Sequence, residues 1–298
     1  MDELTQRAVN AARAVATRLG LRFTDTVLVN AGINVLVRFS PTNVLCRIAT
    51  TTGLVRLGGV GFKREVEIAR FLAARGLPVI GPSAALDAGP HEHDGLWLSF
   101  WDYLPATDEP IDAQAAAKAL RSCHEALSDY TGTLVPWGAW EEARQIRTDL
   151  VDQGLLASAD IDVLAELTAY VDAKIAEYAL PLQAIHGDAH YENVMFTAQG
   201  LRWFDWEDCF LGPREWDIAC MLRQSRVFDL HAHRAPQAMA GYGEEIRHET
   251  LDALVLARDL QAVSWGLLHA QQYDDAAERI ASRMARMRQH LDRIGQAA

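Results

Sequence analysis

The segment Ile185-His186-Gly187-Asp188-Ala189-His190-Tyr191-Glu192-Asn193-Val194 sets an aspartate and an asparagine five residues apart, entered and left by apolar residues of strand character. Twelve residues beyond Asn193, a second carboxylate follows another strand in Phe204-Asp205-Trp206. Phosphoryl transfer asks for few protein groups: a carboxylate that orients the attacking hydroxyl and accepts its proton, and oxygen ligands for a Mg²⁺ that bridges nucleotide phosphates. Asp188, Asn193 and Asp205 match those three needs. The same stretch admits a second chemistry, because His186-x-Asp188-x-His190 alternates potential metal ligands and Asp205 or Asp208 could complete a metal-dependent hydrolase site. His231 and His233 also alternate, but in a stretch of helical texture, where residues two apart point to different sides. A nucleotide-binding pseudokinase is the third alternative; it would be favoured by loss of Asp188, Asn193 or Asp205, and none is lost.

These residues need elements to hold them. Leu4, Val9, Ala12, Val15 and Leu19 fall at helical spacing and end at Gly20. Residues 26–29, 34–39 and 43–49 are short, rich in Val, Leu and Ile, and separated by turn-forming clusters, which predicts an antiparallel meander. A helix is expected over 61–75, stopped by Gly76 and Pro78, and two further strands near 79–87 and 95–101. Beyond Asp102-Tyr103-Leu104-Pro105-Ala106 the texture turns helical, at 112–128, 138–150, 158–179, 213–225, 246–270 and 274–292. Only Leu182 to Glu207 within that half reads as strands with tight turns, so the chemistry is expected on short strands between helices.

The 298 residues, half of them hydrophobic, can bury a substantial core. With 28 Lys and Arg against 40 Asp and Glu, the formal net charge of -12 disfavours nucleic acid as the main partner and suits a cationic substrate better. Cys46, Cys123, Cys209 and Cys220 form no CxxC pair, so reduced buried thiols are expected, with neither a disulfide nor zinc. Met1-Asp2-Glu3-Leu4 lacks a signal-peptide pattern, and later apolar runs are broken by charge, as Arg258 and Asp259 break the run from Leu254 to Leu267. A cytoplasmic protein without a membrane span is predicted.

The combination of HGDAHYEN, FDWED and GPREWDIA, in this order and spacing, resembles the aminoglycoside phosphotransferase family, also called the phosphotransferase enzyme family. The resemblance covers about residues 25 to 270. It implies an α+β, protein-kinase-like two-lobe fold with a small antiparallel-sheet N-lobe and a mostly helical C-lobe. The implied organisation is a nucleotide-binding lobe over 1–101, a hinge at 102–106 and a catalytic, substrate-binding lobe over 107–298.

The activity it implies is Mg²⁺-dependent transfer of the γ-phosphate of ATP or GTP to a hydroxyl of a small molecule. Asp188 becomes the catalytic base, Asn193 and Asp205 the Mg²⁺ ligands, His186 a brace of the loop, and Asp217 a helical acid bonded to the loop backbone from beneath. The small lobe should supply a hairpin at Asn30 and Gly32 over the phosphates, Arg47 on the third strand where kinases usually carry Lys, and its partner Glu65. Glu65 is chosen over Glu67 because it fits the family's motif and Glu67 faces another side of the helix. Trp101 to Leu104, with Tyr103 among them, fall where hinge backbone groups bond a nucleobase.

Members of the family act on aminoglycosides, other antibiotics, choline-like alcohols, amino alcohols and sugars. His190, Tyr191, Glu192 and Asp208 are the nearest candidates for acceptor contacts, Tyr191-Glu192 standing where many relatives have Pro-Gly. Asp208, Glu215, Glu244, Glu245, Asp252 and Asp259 are the acids that could form a pocket for a cationic acceptor.

Overall fold

The computed structural model describes residues 2–32, 34–50, 56–243, 246–271, 273 and 275–297. In chain order the elements are α1 (Glu3–Arg18), β1 (Asp25–Ala31), β2 (Asn34–Ser40), β3 (Val44–Ala49), α2 (Val60–Ala73), β4 (His91–His93), β5 (Leu96–Asp102), α3 (Ala113–Leu127), α4 (Gly138–Asp152) and α5 (Ser158–Tyr178). There follow β6 (Gln183–Ile185), β7 (Val194–Thr197), β8 (Gly200–Trp203), β9 (Phe210–Gly212), α6 (Arg214–Phe228), α7 (Arg234–Tyr242), α8 (Leu251–Ala270) and α9 (Ala276–Ala297). They gather into two compact units, each built from two stretches of chain: 1–130 with 191–209, and 131–190 with 210–298.

The first unit is organised by an antiparallel five-stranded sheet in the order β1-β2-β3-β5-β4. Alternation in β2 sends Val35, Val37 and Phe39 inward, where they meet Cys46 and Ile48 of β3 and Leu98 and Phe100 of β5. Helix α1, capped by the Asp2 carboxylate on Thr5 N–H at 2.8 Å, closes this core with Ala8, Ala12 and Val15. Burying each of the larger side chains contributes about 1.5–3 kcal/mol.

Two departures from the sequence expectation lie at the edge of this sheet. Residues 79–87 make only isolated bridges, Val79 with Trp203 and Pro82 with Trp101, because Pro78 and Pro82 remove backbone donors a continuous strand would use. The fifth strand is instead β4, a polar His-Glu-His segment joined to β5 by Asp94-Gly95, both with positive φ, the two-residue turn whose twist matches a hairpin. At the start of α2, Gly59 has φ +67°, and a Cβ there would stand 2.3 Å from the Trp97 ring. Only glycine lets the helix begin so close to β5.

The first unit also contains α3 and the β7–β8 hairpin. Trp203 of β8 is fully buried and donates its indole N–H to Ala116 O of α3 at 3.1 Å, while its backbone bonds Pro78 and Ile80.

The second unit is helical apart from the β6–β9 pair. Helix α8 is its axis and buries residues along most of its length. Asp259, at 0% exposure, ties three helices together. Its Oδ1 accepts from Arg223 Nε and Nη2 of α6 at 2.9 and 2.7 Å, and its Oδ2 meets Arg286 Nε and His290 Nε2 of α9 at 2.9 and 3.0 Å. Burial opposes the charge on Asp259, but the hydrogen bond with His290 and the two guanidiniums outweigh it and hold the carboxyl well below its usual range.

A depressed folded-state value means that this stabilisation is complete above the ordinary value of 3.8 and is lost as pH falls below it. Asp259→Asn is therefore expected to cost about 3–5 kcal/mol near neutrality, as breaking a buried ion pair does. Thermal melts of both proteins from pH 7 down to pH 3 should show the gap narrowing with acid. A gap independent of pH would rule out the ionised network.

The four cysteines are buried thiols, and among the described residues no helix is long and apolar enough to cross a membrane. His231 and His233 precede α7 and are exposed, with rings 6.1 Å apart.

Candidate active site

Residues 186–190 leave β6 in a sharp turn, with Gly187 at φ +85°. Asp217, in the first turn of α6, accepts the backbone N–H of His186 through Oδ2 at 2.7 Å and that of Gly187 through Oδ1 at 2.8 Å. Trp216 beside it donates its indole N–H to Gly187 O at 2.8 Å. One helical turn thus grips the loop by both donors and acceptors. His186 is fully buried, and its Nδ1 accepts the Asp188 N–H at 3.3 Å, so its ring braces the loop from within.

The Asp188 carboxylate is partly exposed and bound at both oxygens. Arg258 Nη2 of α8 pairs with Oδ1, and His190 Nε2 stands 3.3 Å from Oδ2. Burial would raise the pKa of this carboxyl, yet Arg258 first and His190 next hold it well below the ordinary range.

Asn193 and Asp205 belong to the first unit. Asn193 precedes β7 and Phe204 follows β8; the antiparallel pairing of Val194 with Trp203, extended by Phe204 N–H to Asn193 O at 3.1 Å, brings the two ends of the hairpin together. Asp205 comes next, in left-handed backbone at φ +65°, a strained conformation for a residue with a side chain. One amide and one carboxylate at neighbouring points are hard oxygen donors in the number that Mg²⁺ takes from a protein when phosphates and water supply the rest, so these residues fit the ion. Among the described residues, no group of three His, Cys, Asp or Glu could hold a metal by itself. Within the His186/Asp188/His190 alternation, the two rings engage Asp188, His186 through the backbone N–H and His190 beside the carboxylate.

Arg47 on β3 lies between Leu36 of β2 and Ser99 of β5. Its guanidinium is buried against three carboxylates: Nη1 meets Glu65 Oε1 of α2 at 2.5 Å and Asp205 Oδ1 at 2.8 Å, and Nη2 meets Glu207 Oε1 at 3.0 Å. Burial disfavours the charge of Arg47, but Asp205, Glu207 and Glu65 together raise its affinity for the proton above normal. Burial pushes Glu65 up to about 8 and Glu207 up to about 7, with the neighbouring carboxylates adding to it and Arg47 opposing it. Glu67, two positions from Glu65, makes a surface pair with Lys63.

Two of the arginines that shape this corner carry no local signal in the sequence. Arg56 reaches Glu207 Oε1 at 3.1 Å and pairs with Asp208, and Arg64 donates to Glu207 O at 2.8 Å, so the turn 205–208 is gripped by three arginines. Arg258 lies 70 residues beyond Asp188. Its one clue was a charged residue inside an otherwise apolar helical run.

The remaining candidates are placed as follows. The side chain of Asn30 lies against Gly32, where a Cβ would stand 3.3 Å from Nδ2; Ile33 lies outside the described residues. Trp101 is buried and donates its indole N–H to Ser99 Oγ at 2.9 Å. Tyr103 donates its backbone N–H to Asn43 O at 2.9 Å, and its ring lies under the Arg38 guanidinium at 4.3 Å. Tyr191 is buried and Glu192 exposed.

Most of the acids that could have gripped a cationic acceptor are engaged. Asp208 pairs with Arg56, Asp252 with Arg226 at 2.6 Å, and Asp259 with the cluster described above. Glu215 accepts the Arg247 N–H at 3.4 Å, and Glu244 and Glu245 lie outside the described residues.

The profile of the Phosphotransferase enzyme family matches residues 59–254. Comparison with curated protein sequences gives no match. Among solved structures, the chain is similar to amicoumacin kinase hAmiN, in complex with AMP-PNP, Ca²⁺ and Ami, at TM-score 0.75 and 15% identity over 96% of each chain. It is also similar to choline kinase LicA from Streptococcus pneumoniae, at TM-score 0.65 and 14% identity over 94% of this chain and 99% of that one. Aminoglycoside 2'-phosphotransferase-IIIa, in its GDP complex, gives TM-score 0.64 and 15% identity over 95% and 97%.

A small antiparallel-sheet lobe, a mostly helical lobe and this set of neighbours define a protein-kinase-like fold. The chain belongs to the phosphotransferase enzyme family, whose profile spans well over half of it.

Proposed function

We propose that the protein transfers the γ-phosphate of ATP or GTP, with Mg²⁺, to a hydroxyl of a small amine-bearing alcohol or sugar. The observation that carries this reading is the loop carboxylate Asp188, anchored through its backbone by Asp217 and ionised beside Arg258, in a chain that also sets Asn193 and Asp205 at adjoining ends of one hairpin. Asp188 orients the acceptor hydroxyl and takes its proton as the new P–O bond forms and the bond to the β,γ-bridging oxygen breaks, the nucleoside diphosphate leaving with that electron pair. Asn193 and Asp205 would hold the Mg²⁺, which would neutralise charge on the phosphates. Arg47, kept rigid by Glu65, meets the non-transferred phosphates with a planar fork in place of a lysine's point charge.

The amine-bearing acceptor is supported by the net charge of -12 and by neighbours named for amicoumacin, choline and aminoglycosides. Exposed Glu192, next to the loop, is the acid best placed in sequence to meet an ammonium group.

A coupled assay of diphosphate release, with ATP and then GTP, against aminoglycosides, amino sugars, choline and amino alcohols tests the reading. Acceptor-stimulated, Mg²⁺-dependent turnover that disappears in Asp188→Asn is the expected result. Turnover stimulated only by neutral or acidic alcohols would overturn the acceptor class, and turnover indifferent to Mg²⁺ would overturn the metal assignment.

A further inference from the structure

Arg258 sits in the middle of α8, a helix whose other buried residues are apolar apart from Asp259, Gln261 and Ser264, and it is only 8% exposed. A buried guanidinium is costly unless its donors are used. Nη2 pairs with Asp188 Oδ1, Nη1 donates to Gln261 Oε1 at 2.7 Å one helical turn on, and the Cys220 thiol of α6 lies within hydrogen-bonding reach of the same group. Gln261 is itself 2% exposed, so the guanidinium is fixed from behind by a buried amide.

A carboxylate has about four acceptor positions, and a guanidinium on one oxygen settles the torsion of the whole group. With Oδ1 taken by Arg258, the acceptor hydroxyl is left Oδ2, which His190 already approaches. The groups facing Asp188 are then Arg258 and Cys220 from the helices and His186, His190 and, through the backbone, Asp217 around the loop.

We propose that Arg258 is a positioning residue of the phosphotransfer reaction: held by Gln261, it fixes Asp188 through Oδ1 so that Oδ2 is the oxygen offered to the acceptor hydroxyl. This rests on Asp188 being the residue that orients the acceptor. Arg258 touches neither the acceptor nor the nucleotide in this role; its effect passes entirely through the carboxylate.

The test compares kcat, both KM values and melting temperature for wild type, Asp188→Asn, Arg258→Met, Arg258→Lys and Gln261→Met. Loss of orientation of about an ångström costs roughly 10²-fold in rate, and this is the fall in kcat expected for Arg258→Met, with the nucleotide KM unchanged. Arg258→Lys restores the charge without the fork and should recover part of the rate. Gln261→Met, which keeps the guanidinium but loosens it, should fall between and remains informative where Arg258→Met does not fold.

Arg258→Met and Gln261→Met at wild-type kcat, with Asp188→Asn inactive, would overturn this inference and leave the kinase reading standing. Parallel loss of kcat, both KM values and melting temperature with no recovery in the lysine variant would also overturn it, by reducing Arg258 to a structural residue. Full turnover in Asp188→Asn, or none in wild type, would overturn the kinase reading and this inference with it.

Discussion

Asp188→Asn is expected to lower kcat by about 10²–10⁴-fold while leaving the nucleotide KM near its wild-type value. The substitution keeps the shape of the side chain, and an amide oxygen can still accept from Arg258, so the loop held by Asp217 and Trp216 stays in place. It removes the charge that draws the hydroxyl proton. The groups assigned to nucleotide and metal, Arg47, Asn193 and Asp205, belong to the other compact unit and keep their own partners. Steady-state kinetics with nucleotide and acceptor varied separately give the answer, beside a melt that measures what the now unbalanced Arg258 costs in stability. An unchanged kcat would remove Asp188 from the chemistry.

Arg47→Met should be the most damaging change in the first unit. It removes the guanidinium that Glu65, Asp205 and Glu207 share and leaves buried Glu65 against a thioether, while Glu207 still meets Arg56. Breaking a buried pair in this way costs about 3–5 kcal/mol, which corresponds to a fall in melting temperature of roughly 10 °C, and nucleotide affinity should fall with it.

The loss should also depend on pH in a definite sense. Burial raises Glu65 to about 8 and Glu207 to about 7, above the ordinary value of 4.5, so folding favours their protonated forms and the stability this gives is lost as pH rises through 7 and 8. Without Arg47 the two carboxyls resist ionisation still more. The difference in melting temperature between wild type and Arg47→Met should therefore widen from pH 6 to pH 8.5. A difference that narrows over that range would mean that the carboxylates are not sharing the charge of Arg47.

The candidate motif was legible because its residues are close in sequence. Asp188 and Asn193 lie within one loop, and Asp205 follows a hairpin so short that pairing Val194 with Trp203 must return the chain to Asn193. The amphipathic helices and the β1–β3 meander were legible for a similar reason: periods of 3.6 and 2 are written in consecutive residues. The segment 79–87 was misread because its apolar content resembles a strand, whereas Pro78 and Pro82 deny it the donors of one.

What the sequence determined by itself, then, is the family, the alternation of sheet and helix, and the oxygen-rich loop, each set by interactions between near neighbours in the chain. Tertiary structure alone decided which charges meet. That Arg258 joins the neighbouring His190 on Asp188, that Arg56 and Arg64 join Arg47 around the turn at 205–208, and that Asp259 is enclosed by α6 and α9 are long-range pairings. A charged side chain on a helix looks alike in sequence whether it ends in water or against a partner. Only packing, by taking the water away, makes the choice of partner worth several kcal/mol.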